Sequence, residues 1–553
     1  MSEIPNRHRL VGSQFDIVVI GGGINGVAIA RECARAGRSV LLLEQNDFAS
    51  GTTSRSTRII HGGLRYLQYA EIGLVRESLR ERDRLIRQQP HLVRPLRFVL
   101  ALDKNSRFSA LQVRVGLWLY GRLAGSHWTL DQGGRAARQL EAELDAGKSW
   151  SLFEYDDAQC EFPERLVAEW ISDAAKAGAE IRNYAVVLEV TQAQGRATGI
   201  VFRDRSSGNE SSVNCKWVIN ATGPWVDQLC AETGVATDGR LVGGVRGSHL
   251  VLPKFPGAPE TALYTQGIDG RALFLIPWNQ QILLGTTEVP DFGNPSDATP
   301  SAEEIDYLLR SANQLFPRAT LTAANVHYAF AGIRPLPFME GAAPSAITRK
   351  AILYDHKQDG LEGMISVIGG KLTTAASLAR KCAIALGLQP QATSEVPVPI
   401  TNANGIEVTV RQWADAMARN TGLPPELAQH TASMYGLGAL GILRLAASDE
   451  RLLQPLCLHT EHVVAEAVHA MRFEYAVNLS DVLLRRVPVA LGTCWSPECT
   501  QIAAKRIGAA LKWDQREIES QIENAELERV AFLKKPEAAP MPHDPSVPIH
   551  RSA

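Results

Sequence analysis

No stretch of the sequence is long and apolar enough to span a bilayer, which argues against a helical membrane-spanning protein. Cysteine is sparse. Eight thiols are scattered through 553 residues, and only Cys494 and Cys499 stand close together, with no His-rich partner after them. That spacing argues against a zinc site, so no metal is expected, and it suits reduced thiols in a cytosolic setting. Net charge is nearly absent, −2 at pH 7, so no nucleic-acid partner is expected. The opening, Met1–Gly12, lacks an apolar core segment, and no signal peptide is expected. Internal repeats and EF-hand loops are missing too. With 45% apolar and 21% charged residues, this is the composition of a soluble globular chain with room for two or three domains.

What is present begins at Phe15. An apolar run to Ile20 reads as a buried strand and leads into Gly21, Gly22, Gly23, Asn25 and Gly26, a G-x-G-x-x-G pattern. Gly21 permits a tight turn, Gly23 lets the backbone approach a pyrophosphate, and Gly26 allows close helix–strand packing. Good helix formers follow from Asn25 to Ala36, and Gly37 stops them. Ser39–Leu43 is a second apolar strand with Glu44 at its end, where a carboxylate accepts from an adenosine ribose. The helix start offers free N–H groups and a positive dipole end to a diphosphate. Strand, turn, helix, strand and acid in order make a strong dinucleotide-binding signal. They do not choose between NAD and FAD.

The next segment, Ser50–Leu67, reads SGTTSRSTRIIHGGLRYL. Small hydroxyl residues, a His, a Gly pair and an Arg replace the usual next strand–helix repeat; such a loop can pass close to a flat ring. Here, in His61–Leu67, the chain resembles the FAD-dependent glycerol-3-phosphate dehydrogenases of the D-amino-acid-oxidase-like flavoprotein superfamily. Later segments extend the resemblance in order. These are Phe153–Arg165, the run Asn220–Trp225 (NATGPW), Gly332–Leu336 (GIRPL), Ile347–Arg349, Val367–Thr374 (VIGGKLTT) and Asp481–Arg486 (DVLLRR).

The resemblance implies an α/β fold: a Rossmann-type FAD-binding domain, an antiparallel-sheet substrate domain and a C-terminal α-helical cap. By that reading 15–388 is the oxidoreductase unit, with FAD-binding parts near 15–90, 180–240 and 330–388 and substrate-domain parts near 91–179 and 241–329. Residues 401–533 form the helical cap, behind a Pro-containing linker at Gln389–Ile400, and 534–553 form a disordered tail. It also implies FAD contacts from the glycine turn, Glu44, Thr53, Ser54, Ser56, His61, Gly62, Leu64, Val187, Thr222, Gly223, Gly370, Lys371, Leu372 and Thr373. Arg65, Arg349, Lys371 and Thr373 would bind a substrate phosphate, and Arg334 would stabilise the developing alkoxide.

Moving a hydride from a secondary alcohol to flavin N5 also requires a base. His61 and His249 are both candidates, because an imidazole accepts a proton near neutral pH. The implied activity is oxidation of sn-glycerol 3-phosphate to dihydroxyacetone phosphate, with a membrane quinone as acceptor. The alternatives are an oxygen-reducing glycerol-3-phosphate oxidase, an amine or amino-acid oxidase, and a flavoprotein without enzymatic activity. The apolar stretch Phe108–Leu123 lies among Arg94, Arg97, Lys104, Arg107, Arg114 and Arg122, with Asp103 the one acid. On the residues alone it reads first as a partly buried helix with solvated arginines; the resemblance, to enzymes that hand electrons to membrane quinone, implies instead a peripheral contact with an anionic membrane, on the inner face of the cytoplasmic membrane. A homodimer is left open.

Coarser readings complete the set. Helices are expected at Ile72–Gln89, Gln139–Asp145, Leu166–Ala177 and Ser301–Leu315, the last with a capping box from Ser301 and Glu304. A hairpin is expected about Asn279-Gln280, and a second capping box at Asp514 and Glu517.

Overall fold

A computed structural model describes residues 10–124, 131–132, 134–344, 346–390 and 403–533. Most of the expected linker and the whole C-terminal tail therefore lie outside the described residues. Two sheets carry the architecture.

At the centre of the first sheet lies β1 (Val11–Ile20). It pairs in parallel with β2 (Val40–Leu43) on one side and with Glu210–Asn220 on the other. Further parallel strands, Glu180–Arg182 and Met364–Ile368, extend it outward, and Ile352–Asp355 closes one edge antiparallel. The apolar run of β1 is explained by burial on both faces. Ile17 and Val19 enter one core, Val18 and Ile20 the other. Helix α1 (Ile24–Arg35) covers the first face together with the helices Pro163–Lys176 and Ala375–Ala385.

The second sheet is mostly antiparallel. Its strands include Val93–Leu102, Ser151–Cys160, Val242–Leu252, Ala262–Gln266, Ala272–Trp278, Gln281–Gly285 and Tyr328–Pro337. Asn279 and Gln280 both take positive φ, 48° and 61°, the backbone of a two-residue hairpin whose turn matches strand twist. One face packs Leu250, Leu252, Leu275 and Leu284 under the helix Ala302–Leu315. Ser301 caps that helix through Glu304 N (3.2 Å), and Glu304 returns the bond to Ser301 N (3.0 Å).

Several expectations shift. The helix expected at 139–145 lies at Arg135–Glu141, and Asp145 instead donates its N–H to Leu315 O. At Asp514 only half the box forms, because Glu517 spends its carboxylate on Gln521 (2.9 Å). The strand Tyr328–Pro337, expected within the FAD-binding part, belongs to the second sheet, as does Ile59–Ile60. Arg334 is thus delivered from the antiparallel sheet.

The C-terminal helices are tied to the first sheet by buried charge. Arg486 grips Asp47 through two bonds of 2.7 and 2.9 Å, Arg485 joins it, and Arg165 holds Glu474 at 2.6 and 2.9 Å. Burial works to raise the Asp47 carboxyl, but the two guanidiniums outweigh it and hold it below its ordinary value. Asp47→Ala would leave the buried Arg486 without a carboxylate, while Arg485 keeps Asp481 and Glu528, so it should destabilise the fold by about 3–5 kcal/mol. Urea unfolding checks this, and an unchanged midpoint would contradict it.

Candidate active site

The glycine turn is built for close approach. Gly21 sits at φ 110°, and a Cβ on Gly26 would lie 1.9 Å from Gly21 O. A Cβ on Gly23 would meet only Thr53 Oγ1, at 3.4 Å, so the backbone there is open toward a cavity. Ile24 N, at the start of α1, donates to Thr53 Oγ1 (3.1 Å), and the side-chain Oδ1 of Asn25 is buried with no partner among the described residues. Glu44 accepts from Gly22 N (2.6 Å) and Asn46 N (2.8 Å), which fixes its carboxylate at the end of β2.

The cavity holds about 630 Å³. It begins at these strand ends, passes Val187, Thr222 and Gly223, and reaches the second sheet at His249 and Arg334. Thr53, Ser56, His61, Gly370, Lys371, Leu372 and Thr373 also line it. This is a space of small-molecule size. The open backbone at Gly23, the helix start and the orphaned Asn25 oxygen suit a dinucleotide's pyrophosphate, so the residues present fit FAD.

Five of the expected cofactor residues do not line this space. Gly22 is filled against Phe48, whose Cδ1 would be 2.3 Å from an added Cβ, and Gly26 packs on Gly21. Ser54 is buried and donates to Ala49 O (2.6 Å). Gly62 donates to Tyr120 Oη (2.8 Å), beneath the loop, and Leu64 packs on the core. Arg65, expected on the phosphate, is likewise not among the lining residues, although it reaches their neighbour Glu288.

Around Glu288 the cations gather. Arg65 Nη1 lies 3.1 Å and Arg349 Nη2 3.2 Å from the same carboxylate oxygen. Arg334 donates to Thr286 Oγ1 (2.8 Å) and Thr287 O (3.2 Å). Thr287 is itself held by Glu304 (2.6 Å), so the buried capping carboxylate positions the turn that holds Arg334. Burial acts to raise the Glu288 carboxyl, yet Arg65 and Arg334 hold it below its ordinary value. Burial pushes Arg334 down to about 10. Lys371, buried over the Tyr66 ring with Nζ 3.0 Å from Ser78 Oγ, is pushed down to about 7. Glu288 carries no motif signature in the sequence; its place among the cations is set by the fold.

Both candidate bases border the cavity. Burial, with Lys371 and Arg82 nearby, pushes His61 down to about 3. Burial, with Arg334 and Arg58, does the same for His249. Each imidazole is therefore neutral at pH 7. The His249 Nε2 pairs with Thr57 Oγ1 (2.9 Å), and its Nδ1 is buried without a partner among the described residues.

A dinucleotide cradle continuous with a cationic chamber defines a flavoprotein oxidoreductase. The chain belongs to the FAD dependent oxidoreductase family, whose model matches residues 16–420. A second family model, the C-terminal domain of alpha-glycerophosphate oxidase, matches residues 398–518. The chain is 37% identical over 509 residues to a glycerol-3-phosphate dehydrogenase of Synechocystis sp., covering 88% of this chain and 91% of that protein. It is 34% identical to a D-erythritol 1-phosphate dehydrogenase of Brucella abortus, covering 85% and 93%. The fold matches the FAD-complexed glycerol-3-phosphate dehydrogenase of Bacillus halodurans with TM-score 0.72 at 24% identity, covering 94% and 95%.

Proposed function

We propose that this enzyme oxidises sn-glycerol 3-phosphate to dihydroxyacetone phosphate. The observation that carries the reading is the convergence of Arg334, Arg349 and Lys371 on the flavin cavity, with Arg65 behind them through Glu288. A phosphate dianion engages several cations at once, whereas an amino-acid carboxylate needs mainly one Arg. Bound FAD supplies a two-electron hydride acceptor. Arg334 lies where a guanidinium stabilises charge on the substrate's oxygen, in a buried site where such stabilisation is strong. His61 and His249, both neutral, are the groups able to accept the hydroxyl proton. Glu44 and Val187 serve the adenosine half, and Thr222, Gly223 and Gly370–Thr373 serve the remainder of the cofactor.

Lys371 gives a signed pH prediction. With its ordinary value pushed to about 7, it is largely neutral above that pH until a phosphate dianion favours the ammonium. Binding then takes up a proton, and affinity for the phosphate ester falls by up to about tenfold per pH unit above 7. Anaerobic calorimetry at pH 8 in buffers of different ionisation enthalpy should register the uptake. Lys371→Arg should abolish it; a wild type without uptake would contradict the assignment.

The electrons pass to a membrane quinone, and a helix with an exposed apolar face supports this. Ala110–Ala124 buries Leu117 and Tyr120 while leaving Leu111, Val115 and Trp118 exposed at 67, 57 and 59%. The basic surround is thinner than the sequence suggests, because Arg97 is paired with Glu154 and Asp156. Among the described residues no helix is long and apolar enough to cross a membrane, so the contact is peripheral. Replacing Leu111, Val115 and Trp118 by Ser should weaken co-sedimentation with anionic vesicles by about tenfold or more. Unchanged binding would remove this surface from the account. Turnover followed with a quinone analogue and by peroxide release tests the acceptor. Rapid quinone reduction with little peroxide is expected, and the reverse would make the enzyme an oxidase.

A further inference from the structure

The C-terminal helices bring together a second set of reactive side chains, which the cavity does not use. Between Glu450–Leu453 and the helix Val464–Phe473 the chain makes a pinched loop. Leu456 N donates to His462 O (2.7 Å) and Val464 N to Gln454 O (2.9 Å), so Cys457 and His459 lie in a closed turn. Opposite stands the start of the helix Pro497–Leu511. Its N-cap is Ser496, whose Oγ accepts from Cys499 N (3.3 Å), and Cys494 lies just before it. Arg506, on the same helix, donates to Pro455 O and holds loop and helix together.

The donor atoms converge. The Cys499 Sγ is 3.9 Å from His459 Nδ1, and the ligand atoms of Cys457, His459 and Cys499 all lie within 4.8 Å of one another. Cys494 lies five residues before Cys499 and accepts the Cys499 thiol at its backbone oxygen (3.5 Å). His459 N donates to Cys457 Sγ (3.5 Å), and Ser496 Oγ donates to Cys499 Sγ (3.5 Å). Such second contacts orient a thiolate and hold its charge. A tetrahedral zinc ion with Zn–S near 2.3 Å and Zn–N near 2.0 Å places neighbouring donors about 3.5–3.8 Å apart. The spacing between Cys499 and His459 is close to that edge. The Cys457 and Cys499 side chains are buried, whereas Cys494 and His459 are exposed, which leaves an ion a route in.

We propose that Cys457, His459, Cys494 and Cys499 form a tetrahedral, structural zinc site. Three thiolates and one imidazole are soft donors suited to zinc, and four protein ligands leave no open position for catalysis. The ion joins the loop 454–463 to the head of the helix Pro497–Leu511. The segment it fixes also presents Leu491 O, which accepts from Asn279 Nδ2 (3.1 Å), Gln281 Nε2 (3.0 Å) and Tyr328 Oη (2.9 Å). The metal thereby steadies the docking of the helical region onto the sheet that carries Arg334. This reverses the expectation drawn from Cys494 and Cys499 alone. Their partners, Cys457 and His459, lie far upstream in sequence, and only the fold brings them close.

The test is elemental analysis of the tag-free, FAD-loaded full chain after gel filtration in chelator. About one zinc per chain is expected. Cys494→Ser and His459→Ala, neither in the flavin cavity, should each lower retained zinc by about tenfold with flavin content unchanged. Cobalt(II) exchanged into the wild type should give a thiolate-to-cobalt charge-transfer band and intense tetrahedral d–d bands to the red of the flavin, both lost in the variants. Protein that retains no zinc when purified from zinc-supplemented cells, that holds its zinc equally well in both variants, or that carries a Cys457–Cys499 disulfide by mass would overturn the proposal.

Discussion

Arg334→Ala should cut the turnover of glycerol 3-phosphate by about 10²–10³-fold while FAD content stays at the wild-type level. The guanidinium is buried beside the cavity and held by Thr286 and Thr287, a turn braced from behind by Glu304. Nothing else on the strand Tyr328–Pro337 offers positive charge to the cavity, so Ala leaves the developing oxyanion without its donor. The loss should fall mainly on kcat, because the phosphate retains Arg349 and Lys371. Arg334→Lys should recover only part of it, since an ammonium cannot keep both contacts of the planar fork. Steady-state kinetics beside the flavin-to-protein absorbance ratio decides the matter. Equal losses of flavin and turnover would make Arg334 a structural residue.

Gly26→Val should yield protein without flavin, and little of it folded. Its Cβ would sit 1.9 Å from Gly21 O, and backbone cannot retreat as a side chain can. Overpacking of this kind costs about 1–3 kcal/mol or more, here at the turn that shapes the cradle. Gly23→Ala is the contrasting case. There a Cβ meets only Thr53 Oγ1 at 3.4 Å, so the protein should fold normally and yet hold FAD more weakly, because the methyl enters the pyrophosphate's space. Thermal unfolding and retained flavin, measured for both variants, separate a packing glycine from a cofactor glycine. Normal flavin retention in Gly26→Val would show the cradle to be more compliant than its geometry indicates.

The sequence was most informative where local rules and global fold agree. The strand–turn–helix at Phe15–Ala36, the hairpin at Asn279-Gln280 and the capping box at Ser301 are each specified by a few neighbouring residues, and each forms. It was least informative where chemistry depends on distant partners. Glu288 gains meaning only from Arg65 and Arg349, which lie 223 and 61 residues away. Asp47 finds Arg485 and Arg486 across more than 430 residues. The Cys494–Cys499 pair looks isolated until the fold brings Cys457 and His459 to it. Within the loop after the glycine turn, side-chain type did not reveal direction. Thr53 and Ser56 border the cavity while Ser54 turns inward to Ala49 O, a choice made by backbone hydrogen bonding rather than composition.

The central claim is that bound flavin lies beside a cationic chamber that takes a phosphorylated alcohol. Anaerobic mixing of the purified yellow protein with sn-glycerol 3-phosphate, followed through the flavin's visible band, tests it most directly. The account predicts rapid bleaching with glycerol 3-phosphate and none with glycerol, which lacks the phosphate. Flavin that stays oxidised with glycerol 3-phosphate, or that bleaches equally with glycerol, would contradict it.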